Sequence, residues 1–382
     1  MIAMLKIKSD KIIVGESLFD GYVYVEDGKI AKITAENLPC GESYDYTGKY
    51  VSPGFIDLHT HGAGGYPFMD NTVEDVIRGC EAHLAHGTTC ILPTVSTGAF
   101  SKMREAVINI YKAMESGKAP TSLGAHLEGP YLSAKQGGAQ NTSNITPPVS
   151  ADYEKLVEEY GSAIKRWTYA PENDENGTFC KYLTDHGIIA SVGHSDATYA
   201  DLKVAMASGC NLVTHLYSCT STITRDHGFR RLGIIETAYL EDDMYVEIIA
   251  DGKHLPPELL RLILKCKSTD KIALITDSME IAGTDIKSGN LSGLDYVVED
   301  GVCKLSDRSA FAGSVATADC LIRTLVKEID CPVPLAVKML TKVPAEILGV
   351  NKGVLEAGKD ADIVVFDDDV NIQSIFLAGK KI

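Results

Sequence analysis

The sequence predicts an α/β protein: a (β/α)8 TIM-type barrel with a small β domain formed from both chain termini. Three observations predict it. From residue 51 onward, eight short apolar runs alternate with longer amphipathic stretches. The two ends of the chain have a different texture, of short runs with alternating apolar and polar residues. And 382 residues suffice for one barrel plus a small second domain.

The eight runs are VSPGFIDLH (51–59), TTCILPT (88–94), SLGAHLE (122–128), RWTYAPE (166–172), IIASVGH (188–194), NLVTHL (211–216), YVEIIAD (245–251) and KIALITD (271–277). Each is too short for a buried helix and reads as an interior strand. Between them, NTVEDVIRGCEAHLAHG (71–87), DLKVAMASG (201–209) and LPPELLRLILKC (255–266) read as helices. The polar segments 136–150 and 218–233 are long enough to be substrate loops. At the N-terminal end GYVYVEDGKIAKI contains Asp27-Gly28, a two-residue hairpin turn, and residues 353–382 share its alternating pattern. The expected division is therefore residues 1–50 and 345–382 in the β domain and residues 51–344 in the barrel.

A net charge of −16 argues against nucleic acid or an anionic membrane as partner, and an anionic substrate would need its own local basic pocket. Ten cysteines, scattered singly with no C-x-x-C pair, are expected to be reduced thiols. With no apolar leader at the N-terminus and no long apolar window, a cytoplasmic protein is expected.

The chemistry sits at the strand ends. The first run ends in His59 and passes to His61, which share one face because strand side chains alternate. The third ends in His126 and Glu128, the fifth in His194, and the sixth carries His215. The seventh ends in Asp251 with His254 three residues on, and the eighth ends in Asp277. Of ten histidines, six fall at these ends; His83, His86, His186 and His227 lie on helices or loops and read as structural or solvated. In a barrel the active site lies at the C-terminal strand ends. Imidazoles with carboxylates there suit zinc, iron or manganese, and with an open position such a site activates water.

In order along the chain stand PGFIDLHTHG (53–62), HLEGPYL (126–132), SVGHSDATY (191–199), THLY (214–217), IADGKHL (249–255), ITDS (275–278) and FAGS (311–314). With these motifs the chain resembles the amidohydrolase superfamily, and within it the N-acetylglucosamine-6-phosphate deacetylases. The resemblance implies a barrel plus β-sandwich, a homodimer, and hydrolysis of the acetamide of a small phosphorylated amino sugar. It implies a divalent metal, zinc first, with iron, manganese or cobalt as options, at one or two ions per chain. Position by position, Glu128, His194 and His215 match the ligands of the catalytic metal. His59 and His61 match members that hold a second ion with Glu128 bridging, and Asp277 matches the catalytic acid/base. His254 matches a substrate-contacting histidine, with Asp251, Gly252 and Lys253 beside it. Ala139 and Gln140 match a loop pair at the acetyl group, and Phe311, Ala312 and Gly313 a further substrate-lining segment.

Two departures bear on the phosphate. Where many members read Asn-Ala-Met after THLY, this chain has Ser218-Cys219-Thr220, a segment that in the family binds phosphate partly through backbone N–H groups. Arg225-Asp226-His227-Gly228 resembles a family Arg-Glu-Pro-Gly whose arginine binds phosphate, which makes Arg225 the expected phosphate ligand, with Arg230 and Arg231 as substitutes. The alternatives are a deacetylase of another N-acetylhexosamine, such as N-acetylgalactosamine 6-phosphate or an unphosphorylated sugar, and a different hydrolase of the superfamily.

Overall fold

The computed structural model describes residues 4–382. All eight expected barrel strands form: Phe55–Thr60, Thr88–Val95, Ala125–Glu128, Ile164–Tyr169, Ile189–Val192, Leu212–Val213, Tyr245–Ile248 and Ile272–Leu274. They lie side by side in chain order in one eight-stranded sheet. The sheet closes between the last strand and the first, where the Asp277 N–H donates to the His59 carbonyl (2.9 Å) and the His61 N–H to the Ser278 carbonyl (2.8 Å). The first two strands are buried along their whole length, as expected of strands covered on both faces. Helices Val73–Leu84, Tyr199–Ala207 and Pro257–Cys266 fall in the three stretches read as helical.

The run expected as one strand over 51–59 is two. Tyr50–Pro53 pairs antiparallel with Ile363–Phe366, and Phe55–Thr60 enters the barrel. Gly54 is the break: a Cβ there would lie 2.0 Å from Thr89 Oγ1, so no larger residue passes.

Both chain ends build one mixed sheet. Its strands run in the order Lys380–Lys381, Ile372–Leu377, Ile363–Phe366, Tyr50–Pro53, Leu5–Val14, Ser17–Glu26 and Lys29–Thr34, with Glu42–Asp45 also paired to Leu5–Val14. The Asp27-Gly28 hairpin turn forms as expected, both residues having positive φ (50° and 74°). Ile30, from one end of the strand order, and Phe376, from near the other, bury into the same cluster with Ile7, Val23, Val51 and Ile363. The sheet thus folds over on itself as a sandwich. By compactness the chain divides into a unit running to Asp57 with His83–Cys90 and Thr317–Ile382, and a second unit of Leu58–Ala82 and Ile91–Ala316.

Two hairpin-built elements were not expected. Ser288–Leu291, Leu294–Glu299 and Val302–Leu305 form a three-stranded meander, and Thr224–Asp226 pairs with Phe229–Arg231. Ser292-Gly293, Asp300-Gly301 and His227-Gly228 make their turns, each pair with positive φ. All ten cysteines are free thiols. Among the described residues no helix is long and apolar enough to cross a membrane.

In the first unit, helix Ala318–Ile329 carries the buried Asp319 in its first turn. The carboxylate accepts from Thr317 Oγ1 (2.6 Å), His86 Nδ1 (3.1 Å) and Arg323 Nη2 (3.0 Å). Burial pushes this carboxyl up, but those partners outweigh it and hold it below its ordinary value. A carboxyl depressed in the folded state contributes stability above its unfolded pKa, about 3.9, and loses it as pH falls through the folded value. Asp319→Asn is therefore expected to lower the unfolding free energy by about 1–2 kcal/mol at pH 7. The deficit should shrink on the acid side of that window. Denaturant unfolding of both chains across pH 3–7 measures it, and a pH-independent deficit would contradict the assignment.

Candidate active site

The residues expected at the strand ends converge at one end of the barrel. His59 and His61 project from the first strand to the same side, their Nε2 atoms 3.3 Å apart. Glu128 ends the third strand, fully buried. His194, His215 and Asp277 lie just beyond the ends of the fifth, sixth and eighth strands. Each has left-handed φ (46°, 29° and 47°), a conformation that costs a side-chain-bearing residue of order 1–3 kcal/mol. Backbone bonds hold these turns: Ser133 N–H to the His194 carbonyl (2.8 Å), Ser218 N–H to that of His215 (2.9 Å), and Asp277 N–H to that of His59 (2.9 Å).

Glu128 is the centre of the cluster. Its Oε1 lies 3.0 Å from His215 Nε2, 3.1 Å from His194 Nε2 and 3.5 Å from His59 Nε2, and its Oε2 lies 3.4 Å from His61 Nε2. Burial alone would raise this carboxyl, but the His59 and His194 charges and the imidazole hydrogen bonds hold it well below its ordinary value. His194 Nδ1 faces the Gln136 carbonyl (2.9 Å) and His215 Nδ1 the Ser218 carbonyl (3.0 Å). A carbonyl only accepts, so both Nδ1 atoms carry the proton and, in the neutral rings, both Nε2 lone pairs aim at one carboxylate oxygen. That arrangement calls for a shared cation. Cys219 and Glu128 push His194 well above its ordinary pKa, against burial, so the surroundings favour positive charge at this position. The donor set fits a divalent metal. His59, His61 and Glu128 form one group of ligand atoms within 4.8 Å of one another, and Glu128, His194 and His215 a second. His61 Nδ1 is held by Ser96 Oγ (2.8 Å), the kind of outer contact that orients a ligating imidazole.

Asp277 stands beside both groups, its Oδ1 3.2 Å from His61 Nε2 and 3.4 Å from His59 Nε2. Burial opposes its ionisation, yet the His59 charge and the His61 hydrogen bond lower its pKa to about 2. It is a carboxylate at neutral pH, and so presents acceptor oxygens to the space it faces. Above these groups opens a cavity of about 260 Å³. Its lining includes Gln140, His254, Ala310, Phe311, Leu291 and Tyr217 together with His61, Glu128, His194, His215 and Asp277. The His254 ring packs edge-on against Phe311 at 5.1 Å between centroids. Asp251 accepts from His254 Nδ1 (2.8 Å) and from the Lys253 and His254 N–H groups (2.8 Å each). Burial lowers His254, but the Asp251 hydrogen bond and charge prevail and raise it. Gln140 donates from Nε2 to Glu128 Oε2 (2.6 Å) while its Oε1 accepts from the Thr97 N–H (3.0 Å).

Residues 50–382 match the model of the amidohydrolase family. The chain is 33% identical to N-acetylglucosamine-6-phosphate deacetylase of Bacillus subtilis (strain 168), over 97% of this chain and 95% of the relative. The chain belongs to the amidohydrolase family. A Mycobacterium smegmatis N-acetyl-D-glucosamine-6-phosphate deacetylase variant, solved in complex with N-acetyl-D-glucosamine-6-phosphate, superposes with a TM-score of 0.92 at 28% identity, covering 99% of both chains. An N-acetylgalactosamine-6-phosphate deacetylase of Shewanella sp. (strain ANA-3) is 30% identical over 94% of this chain and 90% of its own length. The family is one of divalent-metal-dependent hydrolases, and His59, His61, Glu128, His194 and His215 are the residues here that could bind metal.

The cavity brings together Ala139, Gln140, Ser218, Cys219, His254, Phe311, Ala312 and Gly313 with His61, Glu128, His194, His215 and Asp277, while His59 lies outside its lining. Asp251 sits behind His254 rather than in the wall, and Gly252 and Lys253 are likewise outside the lining. Arg225 lies on the exposed Thr224–Asp226 strand of the hairpin, with Arg230 and Arg231 exposed on its partner, and none of the three lines the cavity. His126, counted with the rim, is one layer deeper. Its ring bonds to Thr168 Oγ1 (2.7 Å) and Thr94 Oγ1 (3.1 Å), and burial with the Arg166 charge pushes its pKa well below the ordinary value. Its place two residues before Glu128 on a strand already signals this, since one inward layer separates them. Leu291 and Ala310 come from the meander and the segment after it, and the Ser-Gly and Asp-Gly pairs between alternating apolar runs were the available signal.

Proposed function

We propose that this protein hydrolyses the acetamide of N-acetyl-D-glucosamine 6-phosphate, giving glucosamine 6-phosphate and acetate. The observation that carries the reading is that Asp277 lines one cavity with Glu128, His194 and His215, in a chain whose relatives over nearly all of its length bear that activity in their names. A divalent ion held by Glu128, His194 and His215 would polarise the acetamide carbonyl and ease deprotonation of the attacking water. Asp277 takes the proton of that water and delivers it to the amine nitrogen as the C–N bond breaks; unprotonated, that nitrogen is a poor leaving group. His254, its Nδ1 fixed on Asp251, turns Nε2 toward substrate oxygens, and Phe311 offers an apolar surface to the sugar ring. In this reading the ion would be zinc, His59 and His61 beside Glu128 would be able to hold a second one, and the enzyme is a cytoplasmic homodimer. The phosphate is assigned to the Ser218–Thr220 segment and Arg225.

Acetate release from N-acetylglucosamine, N-acetylgalactosamine and N-acetylmannosamine, each with and without 6-phosphate, tests the reading. N-acetylglucosamine 6-phosphate should be fastest. A preference for the galacto epimer would favour the activity named for the Shewanella relative instead. Asp277→Asn should leave zinc bound at Glu128, His194 and His215 yet lower turnover by at least ~10²-fold; near-normal turnover of the metal-loaded variant would remove Asp277 from the mechanism. Elemental analysis of metal-replete protein should find up to two ions per chain, and His59→Ala/His61→Ala should lose one of them. Equal metal content in both forms would return the pair to a structural role. Arg225→Ala should raise KM for the phosphorylated sugar well beyond its effect on kcat, because guanidinium pairs with phosphate remote from the scissile bond. Equal losses on phosphorylated and unphosphorylated sugars would exclude Arg225 as the phosphate ligand.

A further inference from the structure

Glu172 follows the fourth barrel strand, in the short turn Pro171–Asn173, and takes no part in the cavity wall. Both of its carboxylate oxygens are used on the loop that follows His194. Oε2 accepts from Ser195 Oγ (2.7 Å) and Oε1 from the Asp196 N–H (2.6 Å). Each of those two residues passes the restraint on. The Ser195 N–H donates to the Cys219 carbonyl (3.1 Å) and its carbonyl accepts from the Ser221 N–H (3.2 Å), which joins the loop after the fifth strand to the loop after the sixth. Asp196 accepts from Gln136 Nε2 (3.2 Å) and Lys135 Nζ (3.1 Å), and the Gln136 carbonyl accepts from His194 Nδ1 (2.9 Å). One side chain thereby ties together the loops after the third, fifth and sixth strands. Two residues in that bundle, His194 and Cys219, hold left-handed φ (46° and 49°), which persists only where surrounding bonds over-determine it. Without Glu172 the loop after His194 would lose two of the bonds that hold it.

We propose that Glu172 is a positioning residue that holds His194 in its metal-binding orientation and the Ser218–Cys219 wall in its substrate-binding one. The inference rests on reading Glu128, His194 and His215 as a metal site. A partner bonded directly to a ligating imidazole is typically worth about 10–100-fold in metal affinity, and Glu172, which acts through Asp196 and Gln136, is expected to fall at or below the lower end of that range. The zinc-loaded chain is mixed with a chromogenic chelator, and zinc transfer is followed for the parent, Glu172→Ala and Glu172→Gln. The Ala variant should give up the zinc of the Glu128 site several-fold to about 10-fold more readily. The Gln variant, which keeps one acceptor oxygen, should fall between the two. KM for the phosphorylated sugar should rise in the same order, and the unfolding midpoint of the zinc-stripped chains should stay together. Parent-like zinc retention in Glu172→Ala, or a lowered midpoint with unchanged retention, overturns the proposal. A parent chain that holds no zinc overturns the metal-site reading with it. If Glu172→Ala does not fold, Glu172→Gln and Ser195→Ala carry the test: faster zinc release in both supports the clamp, and unchanged release in both overturns it.

Discussion

The site depends on one buried carboxylate. Glu128 is cut off from solvent at the end of the third strand, where an unpaired charge would cost several kcal/mol. It is tolerable because imidazoles from three other strands present nitrogen to it within 3.5 Å. The same geometry that stabilises the charge could hold a metal ion, since a cation between the oxygen and the Nε2 lone pairs would satisfy every member together. Structure and chemistry are here one constraint: a barrel that failed to bring those strands into register would leave Glu128 uncompensated.

Beneath this cluster the barrel is polar rather than filled with aliphatic side chains. Arg166 pairs with Glu247, donates from Nε to Ser191 Oγ (2.9 Å) and from Nη2 to Thr214 Oγ1 (2.6 Å), and reaches the Leu58 carbonyl (3.2 Å). Thr168 bonds onward to His126, Ser191 and Thr214. Buried ionic groups are stabilising only when fully partnered. Fully partnered, this layer fixes six of the strands against one another directly below the ligands. Above it, the chain leaves the barrel through strained turns at His194, His215 and Asp277. Side chains at such turns project over the strand ends, where they meet each other.

Much of this was legible in the residue order. Eight apolar runs located eight strands, Asp27-Gly28 located a hairpin, and His59 and His61 were bound to share a face. The motifs from PGFIDLHTHG to FAGS placed the chain in its family and marked Glu128, His194, His215 and Asp277. Other features were illegible because they depend on contacts distant in sequence. Arg225 and His254 both belong to family-like motifs, yet one stands on an exposed hairpin and the other in the cavity wall. Glu172 belongs to no motif, and its partners lie 23 and 24 residues away on a different strand's loop.

By itself the sequence determined what local rules decide: strand period, the faces of alternating side chains and the Asp27-Gly28 turn, whereas the break at Gly54 came from its contact with Thr89. The tertiary structure alone decided which nitrogen faces which oxygen. Glu128 meets His194 and His215 across 66 and 87 residues, and the barrel closes through backbone bonds made by His59 and Asp277, 218 residues apart. No periodicity encodes such distances. They follow from strand register and closure, which are set by hydrogen bonds between strands and exist only once every strand is in place.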